Sequence, residues 1–262
     1  MNDLELAVAA AAVGAEIVRA GFGSHKTTEQ KGRLDPVTEV DRASEKAIVD
    51  LLTAHRPDDG ILGEEGSERH STGRRWLVDP LDGTVNFVHG IPHVAVSVGL
   101  YDGNSALAGA VHDPIREEVF AAAKGEGATL NGIPIKVSMT EKLHRSVVVT
   151  GFPYDHDERA GAYGSVFTAV LASVNGIRRL GSAALDFGWL AAGRFDGYWE
   201  YSLGPWDMAA GALLVTEAGG VITEATGGPF IPGSPHFVAA NPYLYEELRE
   251  IIEPILPEHV IG

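Results

Sequence analysis

Two carboxylates lie three residues apart in the segment 79–84, which reads Asp-Pro-Leu-Asp-Gly-Thr. Asp79 directly follows the short apolar run 76–78, and this run predicts a strand that ends at the carboxylate. Asp79, Asp82 and the carbonyl of Leu81 can therefore converge on one point. Oxygen ligands of this kind, few in number and completed by water, suit a hard cation such as Mg²⁺.

The next two residues, Gly83 and Thr84, add what a phosphate substrate would need beside such a cation. Gly83 allows a phosphate to approach the backbone, and the N–H groups of both residues can point at it if a helix or turn begins there. The Thr84 hydroxyl can orient a water. The segment therefore favours metal-assisted hydrolysis of a phosphoester.

Three further acidic positions, Asp41, Glu64 and Asp207, could join this group, and each also has a purely structural interpretation. Asp41 lies three residues after Thr38, as in a helix capping box. Glu64 lies in a glycine-flanked loop, and Asp207 would favour the positive end of a helix dipole. Carboxylates that cluster repel each other, so two or three divalent cations would be needed to neutralise them.

Short apolar runs separated by glycine and Asp-Gly turns predict an antiparallel meander in the first half of the chain. Two helices should precede or join it, one capped by Asp3 and ending near Ala20, and one running from Val40 to His55. The predicted strands cover residues 76–78, 93–100, 106–112 and 118–123.

Helices and strands alternate after about residue 142, which favours an α/β arrangement. The predicted strands cover residues 146–150, 177–180, 197–200, 221–223 and 237–239. The predicted helices cover residues 160–174, 183–192, 206–218 and 243–252. We therefore predict two subdomains of unlike topology, 1–145 with most of the acidic positions and 146–262 with Asp207.

The composition excludes several classes of protein. The chain has 262 residues, no cysteine and a formal net charge of −16. Cysteine-based metal sites and thiol nucleophiles are impossible, and the charge disfavours nucleic acid or membrane as the main partner. No basic leader or membrane-length apolar segment is visible, so a cytoplasmic protein is expected.

The segment 76–87, Trp-Leu-Val-Asp-Pro-Leu-Asp-Gly-Thr-Val-Asn-Phe, resembles the signature of the inositol monophosphatase family. Four other motifs match in the same order: Thr-x-x-Asp ending at Asp41, Gly-Glu-Glu at 63–65, Trp-Asp-Met-Ala-Ala-Gly at 206–211, and the glycine-rich stretch 217–229. The resemblance covers essentially the whole chain. It implies a layered αβαβα sandwich, a Mg²⁺-dependent phosphomonoesterase and a homodimer.

The resemblance also assigns roles to residues. It places Glu64, Asp79 and the Leu81 carbonyl at a first metal, and shares a second metal among Asp79, Asp82 and Asp207. A third, weaker metal would lie near Glu64 through waters. Asp41 and Thr84 would activate the attacking water, and Gly83 and Thr84 would hold the phosphate. Mn²⁺ would be able to replace Mg²⁺, and Li⁺ would inhibit.

Ala183 and Glu200 match the family's substrate-side residues, and Glu200 would accept hydrogen bonds from two vicinal hydroxyls. Inositol 1-phosphate is therefore the first expected substrate. The segment 152–156 departs from the animal enzymes and looks more like bacterial or archaeal members, and its role stays open. Fructose 1,6-bisphosphate, histidinol phosphate and NADP are alternatives within the same family.

Alternatives of other classes remain at this point. An acid/base glycosidase could use Asp79 and Asp82, and a non-catalytic, transcription-related protein-binding role would keep the fold alone. His89 and His93 could suggest a zinc pair, but Gly90 and Pro92 disfavour a helix between them. Ser182 is expected to cap a helix rather than act as a nucleophile. Lys31 belongs either to a solvated loop or to one that approaches the metal site.

Overall fold

A computed structural model describes residues 1–24, 28–30, 36–71 and 73–261. Its helices are α1 Asp3–Gly21, α2 Glu39–His55, α3 Thr84–Val88, α4 His156–Leu171, α5 Ala183–Ala191, α6 Pro205–Glu217, α7 Tyr245–Ile252 and α8 Glu258–Ile261. Its strands are β1 Thr28–Gln30, β2 Pro36–Thr38, β3 Gly60–Gly63, β4 Glu68–Arg69, β5 Arg74–Asp82, β6 Ala95–Asp102, β7 Ser105–Asp113, β8 Glu118–Ala123, β9 Gly127–Leu130, β10 Ile133–Ile135, β11 Val147–Thr150, β12 Gly176–Arg178, β13 Gly197–Tyr201, β14 Val221–Thr223 and β15 His236–Ala240.

The strands form two large sheets and one small pair, β1–β2. The larger sheet has eight strands in the order β10-β9-β8-β7-β6-β5-β3-β4, and the smaller has five in the order β12-β11-β13-β15-β14. The expected antiparallel N-terminal sheet is confirmed, with one difference: β3 and β5 run parallel. The helices α1 and α2 precede this sheet in the chain, whereas α4, α5 and α6 alternate with strands of the five-stranded sheet. The two halves of the chain therefore differ in topology, as expected.

Three apolar clusters define the layers. The first joins α1 and α2 to one face of the eight-stranded sheet, through residues such as Leu6, Ile48 and Trp76. The second lies between the two sheets and contains α5, α6 and the inward faces of both, including Phe120 and Tyr198. The third packs α4 and α7 on the outer face of the five-stranded sheet. The order of layers is therefore α-β-α-β-α, as the resemblance implies.

Small residues set how closely α6 lies on the eight-stranded sheet. A Cβ atom on Gly99 would come within 2.7 Å of the Ala209 side chain, and one on Gly109 within 2.9 Å of the Ala210 Cα. Both strands therefore need glycine where the helix crosses them. This close approach fixes the first turn of α6, which carries Asp207, against the centre of the sheet.

Two local predictions need correction. The cap of α1 is Asn2 rather than Asp3: Asn2 accepts a hydrogen bond from the Glu5 N–H at 2.8 Å, and Glu5 returns one to the Asn2 N–H at 2.9 Å. This reciprocal pairing places the helix start one residue earlier than expected. The α4 helix begins at His156 rather than Ala160. None of the helices within the described ranges is long and apolar enough to cross a bilayer.

Candidate active site

Three carboxylates converge where β3 and β5 lie side by side. The Glu64 N–H donates to the Val78 carbonyl at 3.1 Å, which continues the parallel pairing and brings Glu64 beside Asp79. Asp207 arrives from the first turn of α6, where its carboxylate accepts a hydrogen bond from the Gly204 N–H at 2.7 Å. Glu64, Asp79 and Asp207 each offer one oxygen within 4.8 Å of the others. Residues about 140 positions apart thus form one acidic group.

The electrostatics of this group favour the binding of protons or of a cation. Asp79 is buried, and burial raises its pKa well above the usual value, with repulsion from Glu64, Asp82 and Asp207 adding to the effect. Burial likewise raises the pKa of Asp207, followed by repulsion from Glu64 and Asp82. Carboxylates held this close together are stable in their charged form only when a cation lies among them.

The position of Asp79 differs from the prediction. It lies inside β5 rather than at the end of a strand, because β5 continues to Asp82. The pairing with β6 shifts between Asp79, opposite Ser97, and Asp82, opposite Ala95, so β5 holds one extra residue there. A β-bulge of this kind tolerates Pro80, which has no N–H to donate. Leu81 has no partner in the register with β6, and its carbonyl accepts a hydrogen bond from the Thr84 hydroxyl.

Asp82 makes a contact that joins the two sheets. Its Oδ2 atom accepts hydrogen bonds from the Ser182 hydroxyl and the Ala184 N–H, both at 2.7 Å. Ser182 was expected to cap α5 with its own side chain, but it donates to Asp82 instead, and Asp82 satisfies the helix N-terminus. Burial raises the pKa of Asp82, although these hydrogen bonds oppose the shift.

Asp41 and Thr84 meet as the resemblance implies. The Thr84 hydroxyl lies 3.0 Å from Asp41 Oδ1 and 3.1 Å from the Leu81 carbonyl oxygen. Asp41 also closes the predicted capping box of α2, accepting hydrogen bonds from the Thr38 N–H at 3.0 Å and the Thr38 hydroxyl at 2.5 Å. The capping interpretation of Asp41 is therefore confirmed, and its contact with Thr84 leaves room for the chemical role, which stays a prediction. Burial raises the pKa of Asp41, against the effect of these bonds.

Gly83 is required by its backbone and by its neighbours. Its φ of 89° lies in the left-handed region, and α3 begins at the next residue. A Cβ atom here would lie 3.0 Å from the carbonyl oxygens of both Gly181 and His93. Any side chain would therefore strain the turn that joins β5 to α3 and would crowd the Gly181 carbonyl just before α5.

A cavity of about 390 Å³ opens beside the acidic group. Among the predicted site residues it is lined by Asp82, Gly83, Ala183, Glu200 and Asp207, and the loop 151–156 contributes its opposite wall. The predicted metal side and the predicted substrate side therefore face one space. This size suits a small sugar or polyol phosphate.

Glu200 forms the buried floor on the substrate side. It accepts a hydrogen bond from the Tyr198 hydroxyl, and burial raises its pKa to about 8. Gly151 lies so close that a Cβ atom there would overlap the Glu200 carboxylate. This shift favours the protonated form of Glu200, in which the carboxyl group can both donate and accept hydrogen bonds.

Sequence reasoning missed two side chains that line the cavity, Arg179 and Asp186. Asp186 is buried, and burial raises its pKa well above the usual value, followed by repulsion from Asp82. An acid in the apolar helix α5 was the available signal. Arg179 stands just before the Gly181 turn and lowers the pKa of both Asp186 and Glu200 by its charge.

The two histidines do not form a pair, since His93 packs behind the cavity against Asp186 and His89 lies on the surface. His89 is exposed, whereas His93 is buried, and His93 Nε2 lies 3.3 Å from Asp186 Oδ1. Burial lowers the pKa of His93 to about 4, followed by the charge of Arg116. Lys31 lies outside the residues that the structure describes.

Comparison with known proteins agrees with this arrangement. The sequence pattern of the inositol monophosphatase family matches residues 2–256. An inositol-1-monophosphatase of Rhizobium meliloti is 45% identical over 231 residues, which cover 87% of this chain and 86% of the relative. A Nus factor SuhB of Pseudomonas aeruginosa is 43% identical over 238 residues, which cover 88% of each chain.

Solved structures show the same fold. An IMPase of Thermotoga maritima superposes with a TM-score of 0.90 at 33% identity, and the match covers 97% of this chain and 98% of that one. The layered architecture and the acidic cavity define a metal-dependent phosphatase of small phosphate substrates. The chain belongs to the inositol monophosphatase family and is a phosphoric monoester hydrolase.

Proposed function

We propose that this chain hydrolyses a small phosphomonoester in the presence of Mg²⁺, and that inositol 1-phosphate is its preferred substrate. The observation that carries the proposal is the meeting of Glu64, Asp79 and Asp207, with oxygens within 4.8 Å of one another, beside a cavity of about 390 Å³. The relative named inositol-1-monophosphatase supports the choice of substrate.

The residues of the site fit Mg²⁺. Glu64, Asp79 and Asp207 supply only oxygen atoms, as Mg²⁺ requires, and Asp82 and the Leu81 carbonyl would complete the set. Two or three ions would balance the clustered negative charge; Mn²⁺ would substitute and Li⁺ would inhibit. When bound, such ions neutralise the phosphate, polarise its oxygens and lower the pKa of a water.

Thr84 and Asp41 would move the proton of the attacking water. The Thr84 hydroxyl donates to Asp41 Oδ1 at 3.0 Å, so its oxygen can accept a proton from water as its own proton passes to Asp41. Burial raises the pKa of Asp41, which favours this acceptance. The N–H groups of Gly83 and Thr84 would hold the phosphate oxygens during transfer.

The substrate side would read hydroxyl groups. Glu200 lies on the cavity floor with a pKa of about 8, and Ala183 lies at the start of α5 on the adjoining wall. A largely protonated Glu200 offers one donor and several acceptor positions to two neighbouring hydroxyls. Since α5 also meets Asp82, binding the polyol and binding the phosphate would involve one connected set of residues.

Phosphate release from a substrate panel tests the proposal. Inositol 1-phosphate, fructose 1,6-bisphosphate, histidinol phosphate, NADP and adenosine 3′,5′-bisphosphate would each be incubated with Mg²⁺, with chelator and with added Li⁺. We expect release that depends on Mg²⁺ and is fastest for inositol 1-phosphate. Faster release from another compound of the panel would overturn inositol 1-phosphate as the preferred substrate. Release in the presence of chelator would overturn the role of the metal.

A second function, as a protein-binding partner in transcription, is favoured by the 43% identical relative named a Nus factor. A homodimer is also proposed for this chain. Capture of partners from a native lysate by the unsubstituted chain and by Asp79→Asn separates binding from catalysis, because only catalysis needs the acidic group. Equal capture by both supports a separate binding role, and light scattering checks the dimer.

A further inference from the structure

The buried face of α2 carries three polar side chains toward the site. Asp41, Ser44 and Glu45 are 1%, 0% and 3% exposed. Their spacing of three and four residues places them on one side of the helix, next to its apolar stripe. Polar groups buried this completely need hydrogen-bond partners, and the partners identify what the face does.

Glu45 holds the turn that contains Glu64. Its Oε2 accepts a hydrogen bond from the Glu65 N–H at 2.7 Å, and its Oε1 accepts one from the Ser67 N–H at 2.9 Å. One carboxylate therefore clamps the backbone on the far side of Glu64. The near side is held by the Glu64 N–H, which donates to the Val78 carbonyl.

The contact is close enough to restrict the neighbouring residue. A Cβ atom on Gly63 would lie 2.3 Å from Glu45 Oε2, so the strand can end over this carboxylate only as glycine. The turn is closed further by the Gly63 N–H, which donates to the Ser67 carbonyl at 2.8 Å. The backbone around Glu64 is thus fixed on several sides by contacts within the protein.

Ser44 performs the same task on the neighbouring strand. Its hydroxyl donates to the Pro80 carbonyl at 2.8 Å, inside the bulge between Asp79 and Leu81. One helical turn of α2 therefore reaches both acid-bearing segments, while Asp41 contacts Thr84. Because the carboxylates at the ends of β3 and β5 repel each other, a shared tie from one helix adds to the pairing of these strands in keeping them together.

We infer that Glu45 is a positioning residue for the metal site, holding Glu64 at the distance from Asp79 and Asp207 that a divalent cation needs. This inference rests on the proposed function. Glu45 is not among the residues that line the cavity, and it acts through the backbone of residues 64–67. Partners of this kind often change metal affinity by about 10- to 100-fold.

The substitution Glu45→Gln tests the inference. Glutamine keeps the size but has one acceptor oxygen, and its amide group would face a backbone N–H as a second donor. In the metal-free protein, hydrogen exchange should be faster at Glu65 and Ser67 than in the unsubstituted chain. Titration calorimetry with Mg²⁺ alone should give a dissociation constant about 10-fold higher. Turnover should recover largely at saturating Mg²⁺, unlike a loss of catalytic chemistry.

Matched variants isolate the contact. Asp50→Asn removes the same charge from the exposed face of α2, and Ser67→Ala keeps the backbone donor, so neither should change Mg²⁺ affinity. If Glu45→Gln does not fold, Ser44→Ala provides the second test. This variant removes only the hydrogen bond to the Pro80 carbonyl and should also weaken Mg²⁺ binding.

The outcomes separate the two proposals. Unchanged exchange at Glu65 and Ser67 in Glu45→Gln, or unchanged Mg²⁺ affinity in both Glu45→Gln and Ser44→Ala, overturns the inference. An equal loss of affinity in Asp50→Asn overturns it as well, since charge alone would then explain the effect. A failure of the unsubstituted chain to bind Mg²⁺ overturns the proposed function, while the exchange comparison still decides whether Glu45 holds the turn.

Discussion

The two sides of the cavity use buried carboxylates in opposite ways. On the eight-stranded sheet, burial raises the pKa of Asp79 and three neighbouring carboxylates raise it further. On the five-stranded sheet, burial raises the pKa of Glu200 to about 8, while the Tyr198 hydroxyl stabilises its charged form. The first group would be stabilised by the proposed cations, whereas a proton suffices for the second. Residue type alone therefore does not decide what a buried acid does.

The largest effect is expected on the cation side. Asp79→Asn should lower kcat about 1,000-fold, because the central oxygen ligand of the proposed site is lost. The same change should raise the Tm of the metal-free protein by about 3 °C, since it relieves repulsion. Phosphate release and calorimetry in chelator measure the two effects. Asp102→Asn, on the exposed end of β6, is the control and should change neither. More than a tenth of the activity remaining would contradict the assignment.

Thr84 sharpens the comparison by separating proton transfer from cation binding. Thr84→Val keeps the shape but removes the hydroxyl that bonds to Asp41, so kcat should fall about 100-fold. The Mg²⁺ dissociation constant, measured by calorimetry, should stay within about twofold, because the carboxylates are untouched. Thr84→Ser should restore most of kcat. A loss of Mg²⁺ affinity equal to the loss of kcat would show that Thr84 serves the cations instead.

Glu200 offers a test by pH. Its folded-state pKa of about 8 exceeds the ordinary 4.5, so the folded protein keeps a proton that the unfolded chain releases between these values. Its contribution to stability is therefore present below pH 4.5 and is lost as the pH rises through 8, by up to about 1.4 kcal/mol per pH unit. Glu200→Gln should flatten this slope in urea unfolding from pH 5 to 8. Glu68→Gln, an exposed control, should not. Parallel slopes in all three proteins would contradict the prediction.

The smallest effect is expected where the two sides of the cavity meet, at the hydrogen bond between Ser182 and Asp82. Ser182→Ala removes one hydrogen bond to Asp82 while leaving the Ala184 N–H in place, so it should destabilise the fold by about 1 kcal/mol. An Asp82 held by only one hydrogen bond would also lower kcat about fivefold, by loss of orientation. Urea unfolding and phosphate release measure both. Ser165→Ala, whose hydroxyl bonds only within its own exposed helix, is the control. A larger stability change in the control would remove the case for Ser182.

Elements with a clear apolar pattern could be predicted from the sequence, and several short strands without one could not. Strands β8 and β14 begin and end where predicted, whereas β3, β9 and β10 were absent from the prediction. The missing strands have three or four residues and begin or end at glycines and turns, so their own pattern is weak, and pairing with neighbouring strands decides them. The division into subdomains at residue 145 stays a prediction, although one apolar cluster joins residues from both sides of it.

Local motifs in the site were predictable, and contacts across the chain were not. The segment 79–84 indicates metal chemistry because its oxygens are adjacent in sequence. The bulge inside β5 and the tie from Glu45 to the backbone after Glu64 arise only when strands and helices meet. The contact of Asp82 with Ser182 spans 100 residues in the same way. The sequence pattern of one segment does not show which backbone groups of a distant segment its side chains will hydrogen-bond.

That last contact has a consequence for the order of folding. Loops as long as the one between Asp82 and Ser182 close late, because local pairs form first and each long closure costs chain entropy. The hairpins of the eight-stranded sheet can form while the cavity still lacks its second wall. In refolding from denaturant, recovery of activity should therefore lag behind recovery of β-sheet signal. Recovery of activity would then report the docking of the two sheets, a step that the β-sheet signal of circular dichroism does not detect.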